Sequence, residues 1–585
     1  MMKRLAFVLF LVLAWVRTEG ATPSVWPLTT LRLACKTDEE LRRIIDITVR
    51  HRGSFDEYWL SYMHPWYDDE KVLHLLGRGG ERAELVRAAG IRAGDQQGLT
   101  IGHGSALIGG FSKGGSGCLD IPEDSYSVGR DGTRQFGFCP RSPFVLAREE
   151  WYVEQVCRLE RPVSLWLDDD LRNGVWKPDA CFCDRCLKAF NSETGRSVTR
   201  QELVGRLFGG QDVDDIRSAW FDFNERSLAL FAAAARRGAN KANPSLQLCL
   251  QSANAAFFYS GAGRRAVLWE LSDHGRCQTG IRCGSGYYTE FAPPRDLIRR
   301  LQHVGREAAR CRAYGDWMGS VTYENETYTH QVLNKTWEAS LKENALSLAV
   351  GCDAVTMYWY DSARPEPMEL FEELAGHLAA WRPYFERLSA VSRRTSLGGV
   401  ARKIPGNFRD VLPETLRKDV DPAEKSLSTR YTFEHPMDLQ VALYGIPVTV
   451  AEAGPQAFYT EADRWIGEGH ENNPTTAELE KMRDLFDARS HGSVPVRIGK
   501  AQQLVVWPRV DDGGRLVAVT FFNCSMGRAT KVPVRLRNPS GTRLTWMSGE
   551  SAPCELASRP GSLSGERLVT LPDIPGFDLG TVFVD

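Results

Sequence analysis

Strand-like and helix-like stretches alternate between residues 31 and 360 of this 585-residue chain, and this alternation constrains the fold more than any single motif. The candidate strands are 31–35, 55–61, 99–103, 163–170, 246–251, 280–287, 319–324 and 352–360. Helical patterns, with apolar residues three and four apart, lie between them, for example at 38–50, 81–89, 144–159, 219–242, 296–310 and 333–350. Eight strand-helix repeats predict an α/β fold of the (β/α)₈ TIM barrel type, whose active site lies at the carboxyl ends of the strands.

The last third of the chain has a different pattern. Residues 396–491 contain an apolar run at 441–450 and a helical pattern at 476–489, which indicates a short α/β domain. From residue 492 onward, alternating apolar runs separated by Gly, Pro, Asn and Ser predict a small β-sandwich. We therefore predict an export signal at 1–21, the barrel at 22–395, the α/β domain at 396–491 and the sandwich at 492–585.

The first residues and the overall charge indicate where the protein works and which partners it lacks. A basic start followed by the apolar residues 5–16 and small residues near 21 is typical of a signal peptide, so we expect a secreted or periplasmic protein. A membrane anchor is the alternative, but the apolar run is short for a bilayer, and we expect no membrane attachment after cleavage. A formal net charge of -2 without a dense basic stripe gives no reason to expect a nucleic-acid partner.

Acidic residues stand where the fourth and seventh predicted strands end. Asp168, Asp169 and Asp170 close the fourth strand, and Glu324 and Glu326 close the seventh. Carboxylates at the carboxyl ends of barrel strands are what acid/base chemistry on a sugar requires. Because adjacent carboxylates repel one another, a purely structural role for the triplet would need a special reason. The pattern favours a glycosidase.

Four cysteines form a candidate metal site close to the aspartates in sequence. Cys181, Cys183 and Cys186 follow the triplet, and Cys139 lies upstream. Four thiolates can close a tetrahedral zinc site, which would be structural because no coordination position is left for water. In an oxidising compartment a disulfide with a free thiol left over is an alternative, and so are four unrelated buried thiols. No cofactor is expected to take part in catalysis.

Three motifs carry a resemblance to a known family. Phe138-Cys-Pro-Arg-Ser-Pro143, Trp166-Leu-Asp-Asp-Asp170 and Cys181-Phe-Cys-Asp-Arg-Cys186 occur in the order found in family 42 glycoside hydrolases, the bacterial β-galactosidases. The resemblance lies mainly in the barrel region. It implies a structural zinc ion, a proton donor after the fourth strand and a nucleophile in the seventh. It also implies a flavodoxin-like domain that helps form trimers. Because that segment is short here, the resemblance allows a homo-oligomer but does not require one.

Aligned on this family, the chain departs from its pattern at the proton donor. The family carries an Asn-Glu pair, whereas here Asp169 takes the place of the asparagine and Asp170 that of the glutamate. The aspartate side chain is one methylene shorter than that of glutamate, so its carboxyl group would lie at a different distance from the leaving oxygen. Asp168 is a rival donor, because along a strand it shares a face with Asp170 while Asp169 points the other way.

The resulting prediction is an exported hydrolase of O-glycosyl bonds that acts on a glycoside or oligosaccharide. Asp170 is expected to donate the proton and Glu324 to attack, with Glu326 as the alternative nucleophile. We expect retention, which requires carboxylates roughly 5 Å apart, whereas roughly 6.5 to 9.5 Å would give inversion. A β-galactoside is the substrate that the resemblance implies. Residues expected to contact substrate are Asp169, Arg172, Trp59, His103, Asn325, Glu326 and Trp359.

Two other functions fit the same residues. The aspartate at position 170 also suits a carbohydrate-binding barrel that kept the pocket and lost its proton donor. The aspartates with His103 could instead form a hydrolytic metal site.

Overall fold

The structure, a computed structural model, contains a closed barrel of eight parallel strands in its described residues. These residues are 26–34, 37–60, 64–102, 119–172, 180–208, 216–252, 264–284, 287–292, 294–326, 333–361, 366–403, 441–451, 475–489, 494–499 and 503–585. The predicted (β/α)₈ barrel is therefore confirmed. Residues 1–25, with the expected export signal, lie outside the described part, and none of the described helices is long and apolar enough to span a bilayer.

The barrel strands neighbour one another in chain order, and the last one pairs with the first. The described strands of this region are β1 (Thr29–Ala34), β2 (Glu57–Trp59), β3 (Arg92–Gln97), β4 (Tyr126–Val128), β5 (Arg134–Phe138), β6 (Ser164–Leu167), β7 (Gln247–Ser252), β8 (Thr279–Gly284), β9 (Met318–Glu326) and β10 (Ala354–Asp361). Strands β4 and β5 form a separate hairpin, so β6 is the fourth barrel strand and β9 the seventh.

Helices surround the barrel, and several begin at residues that cap their free amide groups. The described helices of this region are α1 (Asp38–Arg50), α2 (Asp69–Ala88), α3 (Pro143–Leu159), α4 (Asp184–Thr194), α5 (Arg200–Phe208), α6 (Ile216–Ala242), α7 (Arg264–Leu271), α8 (Pro294–Arg312), α9 (Trp337–Val350) and α10 (Met368–Arg393). Thr37 and Glu40 form a capping box at α1, and Thr336 caps α9. Ser142 caps α3 ahead of a proline, whose missing N–H costs nothing at that position.

The third barrel strand is where the sequence-based prediction was wrong. The apolar run at 99–103 was expected to form it, but β3 comprises the more polar residues Arg92–Gln97. The reason is tertiary. Strand β3 fits between β2 and β6 because Gly94 stands where neighbouring side chains leave no room for a Cβ atom. A Cβ atom on Gly94 would lie 2.6 Å from Glu57 Oε1 and 3.0 Å from Trp59 Cδ1. Packing inside the barrel thus outweighs local apolarity.

Large side chains fill the barrel interior. Trp26, Trp59, Trp166 and Cys249 form a buried cluster of their own. The rings of Trp59 and Trp166 have centroids 4.8 Å apart, and the Trp59 indole N–H donates to Glu57 Oε1. The interior is therefore a packed core, and a ligand can enter only at the rim.

Beyond the barrel the described residues form a small α/β unit and an antiparallel sandwich. Their elements are β11 (Ser396–Leu397), β12 (Val400–Lys403), β13 (Val448–Ala451), α11 (Thr476–Arg489), β14 (Val496–Ile498), β15 (Leu504–Val510), β16 (Leu516–Asn523), β17 (Pro533–Leu536), β18 (Leu544–Met547), β19 (Cys554–Glu555), β20 (Ser558–Pro560), β21 (Arg567–Thr570) and β22 (Asp578–Val584). Strands β12 and β13 pair in parallel, and α11 shares their core. A six-stranded and a four-stranded sheet share the sandwich core, so the predicted C-terminal β-sandwich is confirmed.

Candidate active site

The two acidic segments lie at the same rim of the barrel and meet at one arginine. Arg282, on β8, is buried, and its Nη1 lies 2.6 Å from Glu324 Oε1 while its Nη2 lies 3.9 Å from Asp169 Oδ2. Glu324 therefore contacts one end of the guanidinium group, and Asp169 lies within ion-pair distance of the other end. This arrangement keeps them within the separations of up to about 9.5 Å at which glycosidase carboxylates work.

Glu324 and Glu326 form a carboxyl pair around a second arginine. Arg32, on β1, directs the same Nη1 atom to Glu324 Oε1 at 2.8 Å and to Glu326 Oε1 at 2.7 Å. Its Nε donates to Gln96 Oε1 at 2.8 Å, and its guanidinium lies over the Tyr358 ring. Because Glu324 and Glu326 are two residues apart on one strand, they share its inward face.

This pair holds a proton more tightly than isolated carboxylates would. Burial raises the pKa of Glu324 to about 8, although Arg282 and Arg32 act to lower it and the charge of Glu326 adds to the rise. Burial also acts to raise the pKa of Glu326, but the two arginines outweigh it and leave that pKa below its usual value. Two carboxyl groups this close titrate as a pair.

The three aspartates after β6 point in three directions. Asp168 is buried, and its Oδ1 accepts from Gln96 Nε2 at 3.3 Å. Burial raises the pKa of Asp168 well above its usual range, and the neighbouring aspartates add to this. Asp169 is the partly exposed member and lies on the Arg282 side. Of the three carboxylates, the one at position 169 is therefore the one partly exposed at the rim.

Asp170, the predicted proton donor, is fully buried against the segment after β3. Its Oδ1 and Oδ2 accept from the Thr100 backbone N–H at 2.9 and 3.0 Å, and the Thr100 hydroxyl donates to Oδ1 at 2.5 Å. The Gly102 N–H lies 3.4 Å from Oδ2. This carboxylate therefore shapes the bend at 99–102, the run that was mistaken for a strand.

The structure does not gather the other predicted contact residues at the carboxylates. Asn325 points away from Glu324 and donates to Ser340 O and Asn344 Oδ1 on the α9 side. Trp59 and Trp359 are buried in packed cores. Arg172 is partly exposed, and its backbone N–H donates to Asp170 O. His103 lies outside the described residues.

Arg32, Gln96, Arg282 and Tyr288 also lie near the carboxylates. The sequence pointed to Tyr288 as a possible sugar contact after the sixth strand, but it did not single out Arg32, Gln96 or Arg282. For the arginines a signal exists, because each is the one charged residue in an otherwise uncharged strand, Thr29–Ala34 or Thr279–Gly284. A charge in such a strand must find a partner inside. Tyr288 is marked by its surroundings: burial, then the charges of Glu326, Glu324 and Asp169, raise its pKa above the usual value.

The four predicted cysteine ligands converge. The Sγ atoms of Cys139, Cys181, Cys183 and Cys186 all lie within 4.8 Å of one another. Cys139 Sγ is 3.7 Å from Cys183 Sγ and 3.5 Å from Cys186 Sγ, close to the edge of about 3.8 Å expected when four sulfurs surround one zinc ion at about 2.3 Å. All described cysteines are free thiols. The cluster can therefore hold a metal ion.

Comparison with known proteins finds similarity in structure only. No protein-family model and no curated protein matches the chain. α-L-Fucosidase isoenzyme 2 from Paenibacillus thiaminolyticus matches with a TM-score of 0.60 at 11% identity, over 96% of this chain and 100% of that one. Gan42B, a family 42 β-galactosidase from G. stearothermophilus, matches with 0.58 at 9% identity, over 95% and 98%. The β-galactosidase from Bacillus circulans sp. alkalophilus matches with 0.55 at 11% identity, over 96% and 99%.

At these identities the likeness establishes the fold. The chain has the architecture of barrel glycoside hydrolases, and its resemblance to family 42 is confirmed as a structural likeness that spans nearly the whole length of both chains. The chemistry of the rim has to be argued from this chain's own residues.

Proposed function

We propose that the protein is a glycoside hydrolase in which Glu324 and Asp169 are the catalytic carboxylates. The observation that supports this most directly is the contact of both with Arg282, since a glycosidase needs two carboxyl groups on opposite sides of one glycosidic bond. Asp169 replaces Asp170 as the proposed proton donor, because Asp170 is buried and its oxygens are engaged by Thr100.

In the proposed reaction Glu324 attacks or stabilises the anomeric carbon and Asp169 protonates the leaving oxygen. Arg32 and Arg282 favour the ionised form of Glu324 that attack requires. Asp169, which is partly exposed, can exchange protons with solvent. We propose retention of anomeric configuration, with inversion as the alternative if the two acids leave room for a water molecule.

The raised pKa of Glu324 favours a second assignment of roles. A carboxyl group that keeps its proton to about pH 8 suits a general acid, and Asp169 would then be the attacking carboxylate. Azide rescue separates the two assignments. A nucleophile variant with azide yields a glycosyl azide of inverted configuration, whereas an acid/base variant yields one of retained configuration.

The substrate class is proposed from the neighbours. Because they include β-galactosidases and an α-L-fucosidase, the first panel should contain aryl β-D-galactosides and aryl α-L-fucosides beside other aryl glycosides. We expect turnover by the wild type on at least one of them and a loss of about 10⁴-fold or more in Glu324→Gln. Glu338→Gln, the same change at an exposed residue of α9, should retain wild-type activity.

Each outcome of that screen has a meaning. Sugar binding without turnover on the whole panel would favour the non-catalytic carbohydrate-binding alternative. Turnover that disappears on exhaustive chelation, with the fold intact, would favour the hydrolytic metal alternative. Turnover that is equal in wild type and Glu324→Gln would overturn the assignment of Glu324.

We further propose that the cysteine cluster binds zinc, which ties the residues before α4 to Cys139 and takes no part in catalysis. Elemental analysis should find about one zinc ion per chain in the wild type and in Cys554→Ser, whose cysteine is exposed, and none in Cys183→Ser. Export is part of the proposal as well. Sequencing the amino terminus of the protein from its native host should find cleavage near residue 21.

A further inference from the structure

Lys335 is a fully buried cation just before α9, between the carboxyl ends of β8 and β9. Its ammonium group donates to Tyr287 O at 2.9 Å, to Asn325 Oδ1 at 3.0 Å and to Glu326 O at 3.1 Å. These three acceptors and the carboxylate of Glu343 surround the three N–H donors of the lysine. The lysine thus joins the segment after β8 to the end of β9.

Glu343, on α9, is the ionic partner of Lys335 and extends the same network to the other side of the strand. One of its carboxylate oxygens pairs with Lys335, and the other accepts from the hydroxyl of Tyr323. Tyr323 immediately precedes Glu324, whereas Asn325 and Glu326 follow it. The Lys335–Glu343 pair therefore contacts β9 on both sides of the proposed nucleophile without touching it.

The network also reaches the segment that carries Tyr288. Tyr287, whose carbonyl oxygen accepts from Lys335, precedes Tyr288, the aromatic residue beside the three carboxylates. The Glu290 N–H donates to Asn334 O at 3.0 Å, and the Thr336 hydroxyl donates to Glu290 Oε2 at 2.9 Å. The segments 287–290 and 334–336 are thus joined at Tyr287 and at Glu290.

We propose that Lys335 and Glu343 are positioning residues, which set the placement of Glu324 and Glu326 relative to Tyr288 and thereby the rate of the chemical step. This inference rests on the proposed function, because it assigns the pair a role in that reaction. The expected effect is large for residues that touch no substrate, since a misplacement of about 1 Å in a catalytic group can cost about 10²-fold in rate.

The variant to test is the double substitution Lys335→Met with Glu343→Leu. A single substitution leaves a buried charge without its partner and can unfold the protein, whereas replacing both charges with apolar groups of similar volume is often neutral for stability. Lys342→Met is the matched control, because Lys342 lies on α9 with its side chain 20% exposed and near Asp578. The measurements are kcat and KM on the best substrate of the panel, thermal unfolding, and amide hydrogen exchange.

The expected result is a folded double variant with kcat lower by about 10²-fold, KM little changed, and faster exchange in the peptides covering 287–292 and 318–326. The double variant Lys335→Met with Glu343→Gln, which keeps an acceptor for Tyr323 and leaves no unpaired charge, should recover part of the lost rate. A folded double variant with wild-type kcat would overturn the inference. Unchanged hydrogen exchange in both peptides would also overturn it, and that measurement needs no substrate. Failure of the proposed function shows differently, as absence of turnover in the wild type itself.

Discussion

The two acidic segments of the rim differ in how their backbone holds them. At positions 324–326 the chain is still part of β9, so the side chains alternate and Glu324 and Glu326 share Arg32 while Asn325 faces α9. At positions 168–170 the chain has already left β6, which ends at Leu167. There each aspartate finds its own surroundings: Gln96 for Asp168, Arg282 for Asp169 and Thr100 for Asp170.

This difference shows that adjacent residues of the same type, such as the three aspartates, need not share one role. Strand geometry makes the environment of every second residue similar, and it stops doing so where the strand stops. On β9 two carboxyls share one arginine, whereas after β6 Asp169 is partly exposed, Asp168 is buried with a raised pKa, and Asp170 is buried and accepts from Thr100. The following predictions test this division, starting with the largest expected effect.

The division within the triplet is tested first by activity. We expect Asp169→Asn to lower kcat by about 10²- to 10⁴-fold on substrates with poor leaving groups, because such groups need general acid assistance. The loss should be smaller on aryl glycosides whose leaving group is already acidic. Steady-state kinetics with both kinds of substrate provide the measurement, and Asp170→Asn is the control that should keep the activity per folded molecule. The opposite ranking of the two variants would contradict our assignment.

The link between the two segments is tested by pH dependence. Arg282 acts to lower the pKa of Glu324, so Arg282→Met should raise that pKa further above about 8. Because attack requires ionised Glu324, the acidic limb of the kcat/KM profile should move to higher pH by about 1 to 3 units. Arg282→Lys keeps the charge and should move the limb less. A limb that stays in place in Arg282→Met would show that another group controls it.

The structural role of Asp170 is tested by stability. Asp170→Asn removes a charged acceptor from Thr100 and should lower the free energy of unfolding by about 1 to 3 kcal/mol in urea denaturation. Asp131 provides a matched control, because it accepts from the Thr133 backbone N–H and hydroxyl in the same way but is exposed. Asp131→Asn should lower the free energy of unfolding by less than Asp170→Asn does. Equal losses of free energy in the two variants would mean that the burial of Asp170 contributes nothing to stability.

The last prediction concerns the pH dependence of stability and a carboxyl near Asp170. Burial raises the pKa of Glu149, on α3, to about 8, and the charge of Asp170 adds to this. Between the usual pKa of 4.5 and about 8 the folded state keeps a proton that the unfolded state loses, so this group makes stability fall with rising pH. Its contribution is about 1.4 kcal/mol per pH unit. Glu149→Gln should flatten the decline measured by urea denaturation from pH 5 to 8, and an identical slope would refute the prediction.

Local patterns were sufficient for most of the fold and for part of the site. Helices such as α1 and α11 begin and end as predicted, because capping residues and amphipathic spacing are local properties. The convergence of the four cysteines could likewise be predicted from their spacing. The third strand could not, because Gly94 and its polar neighbours are selected by the tryptophan-filled interior, which no local window contains.

The sequence by itself determined that two acidic segments would end the fourth and seventh strands of one barrel, since strand order and strand ends follow from the alternation along the chain. Only the tertiary structure decided which carboxylates face each other. Arg32 and Arg282 come from strands far away in sequence, and burying two guanidinium groups is tolerable only where carboxylates surround them. That requirement fixes Glu324 at the pocket, whereas the early end of β6 turns Asp169 toward it and Asp170 away.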